Sequence, residues 1–232
     1  MQGGFFMFFT VYKEDGYVAL TTAGYIACAL IVLALIVLLS LLLGKKKKGN
    51  RSWNTKKIVF SSICLALAFI LSYLQPYKLP WGGSVTLFSM LFICLVGNWY
   101  GLSAGLTVAF TYSILQFMQG GGTYILSPFQ VCCDYFLAFT ALGFSGLFSG
   151  KKNGLIKGYL LGIFLRGAFH ALGGYLYWMD YMPDSFPQSL SVVYPIVYNY
   201  SYILIEGVAT VIILLIPAVK STLNRIRQMS EA

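Results

Sequence analysis

Residues 24–44 form an apolar run without one charged side chain, and Lys45-Lys-Lys-Lys48 follows at once. About 20 apolar residues are enough for a helix to cross a bilayer. Within hydrocarbon every backbone N–H and C=O must be satisfied inside the protein, so a single run of this kind crosses only as a helix. Comparable runs recur at about residues 58–74, 102–118, 124–148, 155–178 and 193–219, with a shorter one at 85–96. Only 10% of the residues are charged, against about 25% in soluble domains. The expected fold is therefore an all-α integral membrane protein. It comprises a six-helix bundle over residues 58–232 and one extra transmembrane helix with a basic linker over residues 1–57. The first run does not read as a signal peptide, because no cationic region precedes it and no small-residue cleavage site follows.

Charge placement gives an orientation. Thirteen of the sixteen cations (Lys45–Lys48, Arg51, Lys56, Lys57, Lys151, Lys152, Lys157, Lys220, Arg225 and Arg227) fall in three connections or tails. Facing these to the cytoplasm satisfies the positive-inside rule. It places the N-terminus outside and the C-terminus inside a multi-pass cell-membrane protein. The net charge of +9 then reflects topology and contact with the lipid bilayer, not nucleic-acid binding. Cys28, Cys64, Cys94, Cys132 and Cys133 all lie in apolar runs without metal-site spacing and read as small packing residues. Residues 76–84 and 119–123 read as external loops, and Gly97-Asn-Trp-Tyr-Gly101 as the turn between two spans. Ser62 and Ala66 give the helix starting near residue 58 a small-xxx-small face that admits close approach of another helix.

Arg166, His170, Gly174 and Trp178 recur at four-residue steps, which stacks them on one helix face. With Asp134 and Glu206, Arg166 and His170 are the ionisable side chains inside apolar runs, where a charge is expensive and normally faces a cavity or a partner. An Asp134–Arg166 ion pair is one reading, and Glu206 reads as structural. At ~1.5 Å per residue, Asp134 lies roughly 15 Å inward from Tyr124, and His170 roughly 12 Å inward from Trp178. Asp134, Tyr135, His170 and Asn199 thus fall in the outer half of the membrane, with Trp81, Tyr124, Trp178 and Tyr194 nearer its rim. An aromatic wall over one carboxylate suits a flat cationic or heteroaromatic solute. A catalytic reading has less support, since neither H-E-x-x-H nor a P-loop is present.

Three motifs carry a family resemblance: Tyr124-Ile-Leu-Ser127-x-x-Gln130-x-x-x-Asp134-Tyr135, His170-x-x-x-Gly174-x-x-x-Trp178 and Tyr194-x-x-x-x-Asn199. In order and spacing they resemble the thiamine-specific substrate-binding subunits (S-components) of energy-coupling-factor transporters. The resemblance covers about residues 58–227. It implies a non-enzymatic thiamine-binding subunit, without a cofactor, that captures thiamine outside and works with a transmembrane coupling protein and two cytoplasmic ATPases. It also implies that Trp81, Tyr135, His170 and Trp178 surround the thiamine rings. Asp134, Tyr124, Tyr194 and Asn199 would make polar contacts, Gly174 would leave room for the ligand, and Arg166 would fill a basic position. Ser62 and Ala66 would meet the coupling protein. The chain departs from the family pattern with Asp134 for Glu, Arg166 for Lys and Ser62 for Ala. The other readings are binding of a related pyrimidine or thiazole compound, a secondary transporter using Asp134 and Glu206, and an intramembrane enzyme acting through His170.

Overall fold

The computed structural model describes residues 8–12, 18–28, 30–31, 34, 53–79, 83–120 and 125–231. Strands β1 (Thr10–Tyr12) and β2 (Val18–Leu20) pair antiparallel near the start of the chain. Six helices make the bundle: α1 (Thr55–Tyr73), α2 (Ser89–Tyr100), α3 (Leu102–Gln119), α4 (Pro128–Phe148), α5 (Gly154–Tyr181) and α6 (Gln188–Leu215). Among the described residues, α1, α4, α5 and α6 are long and apolar enough to cross a membrane. Most of the extra helix expected over residues 24–44 lies outside the described residues. Residues 22–28 are helical, and Cys28 is buried with Phe110, Val131 and Phe136 of α3 and α4.

Burial divides the helices into a core and a lipid-facing shell. In α2 ten of twelve residues are buried, including Ile93, Cys94, Leu95 and Val96. α1, α3, α5 and the tight 3-10 end of α4 (Ala141–Phe148) surround it. The outer helices instead expose Ile58, Ile63 and Ile70 on α1, Phe164 on α5, and Val208 and Ile212 on α6. In water that much exposed apolar surface would be costly, whereas against acyl chains it is neutral. A close approach of α3 and α4 is possible because a Cβ on Gly105 would lie 2.6 Å from the Gly143 carbonyl oxygen.

At ~1.5 Å per residue α2 is only about 18 Å long, short of the ~30 Å hydrocarbon thickness. Its N-terminus therefore opens inside the protein, where its free N–H groups need acceptors. Phe88, in the left-handed region at φ 59°, supplies no side-chain cap. Glu206 of α6 takes that role. Its carboxylate accepts the Met90 N–H at 3.2 Å and the Thr86 hydroxyl. An acidic group at a helix N-terminus is also favoured by the helix dipole, which accounts for this buried carboxylate as a structural residue.

Several boundaries differ from the sequence reading. The loop at 76–84 contains a short hairpin, β3 (Tyr77–Lys78) with β4 (Ser84–Val85). Gly97 to Tyr100 belong to α2, because Gly97 packs against Ser145 and Gly146 and Trp99 is buried. The turn falls on Gly101 alone, at φ 88°, a conformation glycine adopts without strain. The expected span from 124 begins at Pro128 instead. There Ser127 caps the helix by accepting the Gln130 N–H at 3.0 Å, and proline suits the first turn. The last span ends at Leu215 instead of running to 219. Pro217 pushes Ile216 into extended backbone (ψ 122°) and starts a separate amphipathic helix, α7 (Pro217–Glu231), which packs on α1 and α6.

Candidate functional site

A cavity of about 640 Å³ lies at the end of the bundle that carries the hairpin, bounded by α4, α5, α6 and β3–β4. Two local irregularities aim side chains into it. α4 widens to a π-helix over Cys132–Leu137, the segment that carries Asp134 and Tyr135. α5 does the same over Gly174–Trp178, the segment that carries Trp178. Single π turns inside α-helices concentrate at functional sites because they re-aim side chains by part of a turn.

Asp134 forms the polar floor. Its Oδ2 accepts Nε2–H of Gln130 at 2.7 Å and Nε1–H of Trp178 at 2.9 Å. Its Oδ1 faces Nδ1 of His170 at 3.7 Å. The other face of the imidazole meets Arg166, whose Nε donates to His170 Nε2 at 3.4 Å. That donation leaves the neutral imidazole proton on Nδ1, toward the carboxylate. No Asp134–Arg166 pair forms. Arg166 instead lies over the Phe139 ring, 4.4 Å from its centroid, with His170 between it and Asp134. This arrangement suits a planar guanidinium, which stacks on aromatic faces better than an ammonium.

Aromatic rings make the walls. Tyr194, Tyr198 and Tyr202 recur every fourth residue along α6 and all line the cavity. Tyr194 and Tyr198 stack with centroids 5.6 Å apart. Tyr202 sits edge-on to His170 and donates to Asn199 Oδ1 at 3.0 Å. Asn199 Nδ2 donates to the carbonyls of Pro195 at 2.8 Å and His170 at 3.2 Å, so this amide ties α6 to α5 while facing the cavity. Tyr135 packs edge-on against Phe117 at 5.5 Å, with its hydroxyl over Gly120. Lys78, Leu79, Gly83 and Ser84 of the hairpin form the rim, where Gly83 (φ +76°) lies flat against the Tyr202 ring.

Of the residues singled out from the sequence, Asp134, Tyr135, His170, Trp178, Tyr194 and Asn199 share this one cavity. Trp81 and Tyr124 lie outside the described residues. Arg166 sits behind His170 and does not line the cavity. Gly174 does not line it either. A Cβ there would lie 2.7 Å from Pro195 Cβ and 3.3 Å from Asn199 Nδ2, so the missing side chain lets α5 and α6 approach closely. Ser62 and Ala66 lie on the exposed face of α1, away from the buried stripe of Ser61, Cys64, Ala68 and Ser72. The sequence reading missed Gln130 as a floor residue, Phe139 as the plate beneath Arg166, and Tyr198 and Tyr202 as wall. The four-residue recurrence of tyrosine from Tyr194 was the available signal.

Among the described residues Asp134 is the one carboxylate lining the cavity, and Lys78 at the rim is the one cation. A multi-pass α-helical protein with such a recess belongs to the class of solute-binding membrane transport proteins. Residues 58–225 match the thiamine transporter protein family (Thia_YuaJ), and the chain belongs to that family. It is thus a transport protein and not an enzyme. It is 27% identical over 180 residues to the thiamine transporter ThiT of Bacillus subtilis, a match covering 71% of this chain and 91% of that protein. A solved structure of ThiT from Listeria monocytogenes superposes with a TM-score of 0.53 at 24% identity, over 70% of this chain and 96% of that one, and has the same fold.

Proposed function

We propose that this chain is the thiamine-binding membrane subunit of an energy-coupling-factor importer. The observation that carries this reading is the Asp134 carboxylate. It is held rigid by Gln130 and Trp178 and set beneath tyrosine and imidazole rings. Thiamine joins a cationic thiazolium to a flat aminopyrimidine. A buried carboxylate complements both the positive charge and the amino group, and aromatic faces attract the cation and stack on the rings. The similarity to the thiamine transporter ThiT of Bacillus subtilis supports thiamine as the ligand. In this reading the cavity end faces outward and the end carrying Lys151, Lys152 and Lys220 faces the cytoplasm. The β3–β4 hairpin closes over captured ligand, Trp81 contacts the thiamine rings and Tyr124 makes a polar contact to the ligand. Ser62 and Ala66 offer the close-approach face to the transmembrane coupling protein, and two ATPase subunits supply the energy.

Titrating the purified protein with thiamine while following tryptophan fluorescence tests the ligand. Saturable quenching at micromolar thiamine is expected, with weaker responses to the separate pyrimidine and thiazole halves. No saturable response removes the thiamine assignment, and a stronger response to one half reassigns the ligand. Uptake assays in cells with and without the ATPase module test the coupling. Accumulation without the module supports a stand-alone secondary transporter instead.

A further inference from the structure

The opposite end of the bundle holds a second recess, of about 390 Å³, between the α4–α5 turn, the end of α2 and helix α7. Four cations line it: Lys151, Lys152, Lys220 and Arg227. No carboxylate does so among the described residues. Lys220, Asn224 and Arg227 reach it from one face of α7, at the i, i+4, i+7 spacing that aligns side chains along a helix.

The N-terminus of α5 opens into the same recess. Asn153, at φ 54°, turns the chain into the helix without a side-chain cap. The first intrahelical bond is made by the Lys157 N–H to the Asn153 carbonyl at 3.1 Å. The amides of Leu155 and Ile156, which line the recess, precede that bond and are unsatisfied by the helix. Oriented N–H groups at the positive end of a 28-residue helix form a ready anion site.

Asn98 supplies an independent sign of a ligand. Its side chain is only 8% exposed and lines the recess. Its Nδ2 points at the first residue of α5, 3.1 Å from where a Cβ on Gly154 would stand, and the side chain makes no hydrogen bond to any described residue. An amide in this position can donate to an acceptor held in the recess. The remaining lining is apolar: Trp99, Leu214, Leu215 and Leu223. Leu215 continues into the exposed apolar face of α6 through Ile212 and Val208. The recess is therefore cationic at its centre and continuous with the exposed apolar face of α6 at its side.

We propose that this recess binds the phosphate head group of an anionic phospholipid. The phosphate oxygens accept from Asn98, from the first-turn amides of α5 and from the surrounding cations, and one acyl chain lies along Leu215 and Ile212. This site is independent of the cavity at the other end. Native mass spectrometry of delipidated protein supplied with phosphatidylglycerol or phosphatidylcholine tests it. The expected result is one tightly retained phosphatidylglycerol and no retained phosphatidylcholine. In Lys152→Gln/Arg227→Gln, and separately in Asn98→Asp, the retained fraction should fall at least tenfold with the helical circular-dichroism spectrum unchanged. Lys56→Gln/Lys57→Gln loses the same charge elsewhere and should retain the lipid. Equal retention of both lipids, or equal loss in the two double variants, overturns the proposal in favour of general surface attraction. Thermal stabilisation by inorganic phosphate with no phosphatidylglycerol adduct overturns it in favour of a free-phosphate site.

Discussion

In the proposed thiamine site Asp134 concentrates the polar contacts into one side chain. Its Oδ2 takes two donors from the protein, its Oδ1 faces His170 Nδ1 at 3.7 Å, and the carboxylate as a whole lines the cavity. Asp134→Asn keeps the shape and removes the charge. A charge-assisted hydrogen bond contributes about 1.5–3 kcal/mol, so thiamine affinity should fall roughly tenfold to a hundredfold, as measured by calorimetry. His170→Ala and Trp178→Ala should each weaken binding by more than about tenfold, since each removes a ring and a contact that orients Asp134. Near-normal affinity in both variants would remove the proposed site. At this scale the sequence was informative about identity and poor about role. Asp134, His170 and Trp178 were legible because a charged or polar group in an apolar run needs a reason to be there. The role of Arg166 was not, because its partner Phe139 is an ordinary apolar residue that carries no signal of its own. Gly174 was ambiguous for a related reason: a glycine in a helix is equally compatible with ligand space and with helix contact, and the contact with Pro195 across the interface is not visible in the sequence.

The helices show where local pattern and tertiary packing disagree. Gly174→Ala is the cleanest test of the packing role. Overpacking a helix contact costs about 1–3 kcal/mol, so the variant should unfold several degrees lower in a detergent thermal melt. A variant of unchanged stability but lost affinity would return Gly174 to the ligand site. The spans themselves were readable from hydropathy, yet their ends were not. Gly97 and Asn98 look like turn residues, but in α2 the glycine is a contact point with α4 and the asparagine faces the basic recess. The break before Pro217 follows directly from proline chemistry. It could have been placed from the sequence had the apolar run not continued through it.

Across the whole molecule, two recesses of opposite character lie at opposite ends of one bundle. One has an acid floor and aromatic walls, and the other is lined by four cations. The exposed Ser62–Ala66 face of α1 lies beside neither. That separation gives a testable division of labour in the proposed importer. Ser62→Leu and Ala66→Leu place bulk on an exposed helix face without disturbing the cavity. Thiamine binding to the isolated subunit should be unchanged, whereas ATP-dependent uptake by the assembled complex should fall at least tenfold. A matching loss of binding would mean that the face supports the cavity and not a partner. The overall arrangement was predictable because positive charge clusters at one end and aromatic and polar residues at the other. The short span was legible as well; what periodicity could not supply was that its N-terminus is met by Glu206.

In the proposed thiamine site the two π-helical turns make chain length itself part of the ligand specificity. Each turn accommodates more residues than the α-helical pitch would allow over the same rise, and each bears one partner of the Asp134–Trp178 hydrogen bond. Removing Leu137 alone would let α4 regain regular pitch and still span the bundle. It would also swing Asp134 by about 100° relative to the rest of the helix. The expected product is a folded membrane protein that no longer responds to thiamine, and a deletion variant that binds normally would show the wide turn to be incidental. In such a protein one inserted or lost codon could retune recognition without a single substitution.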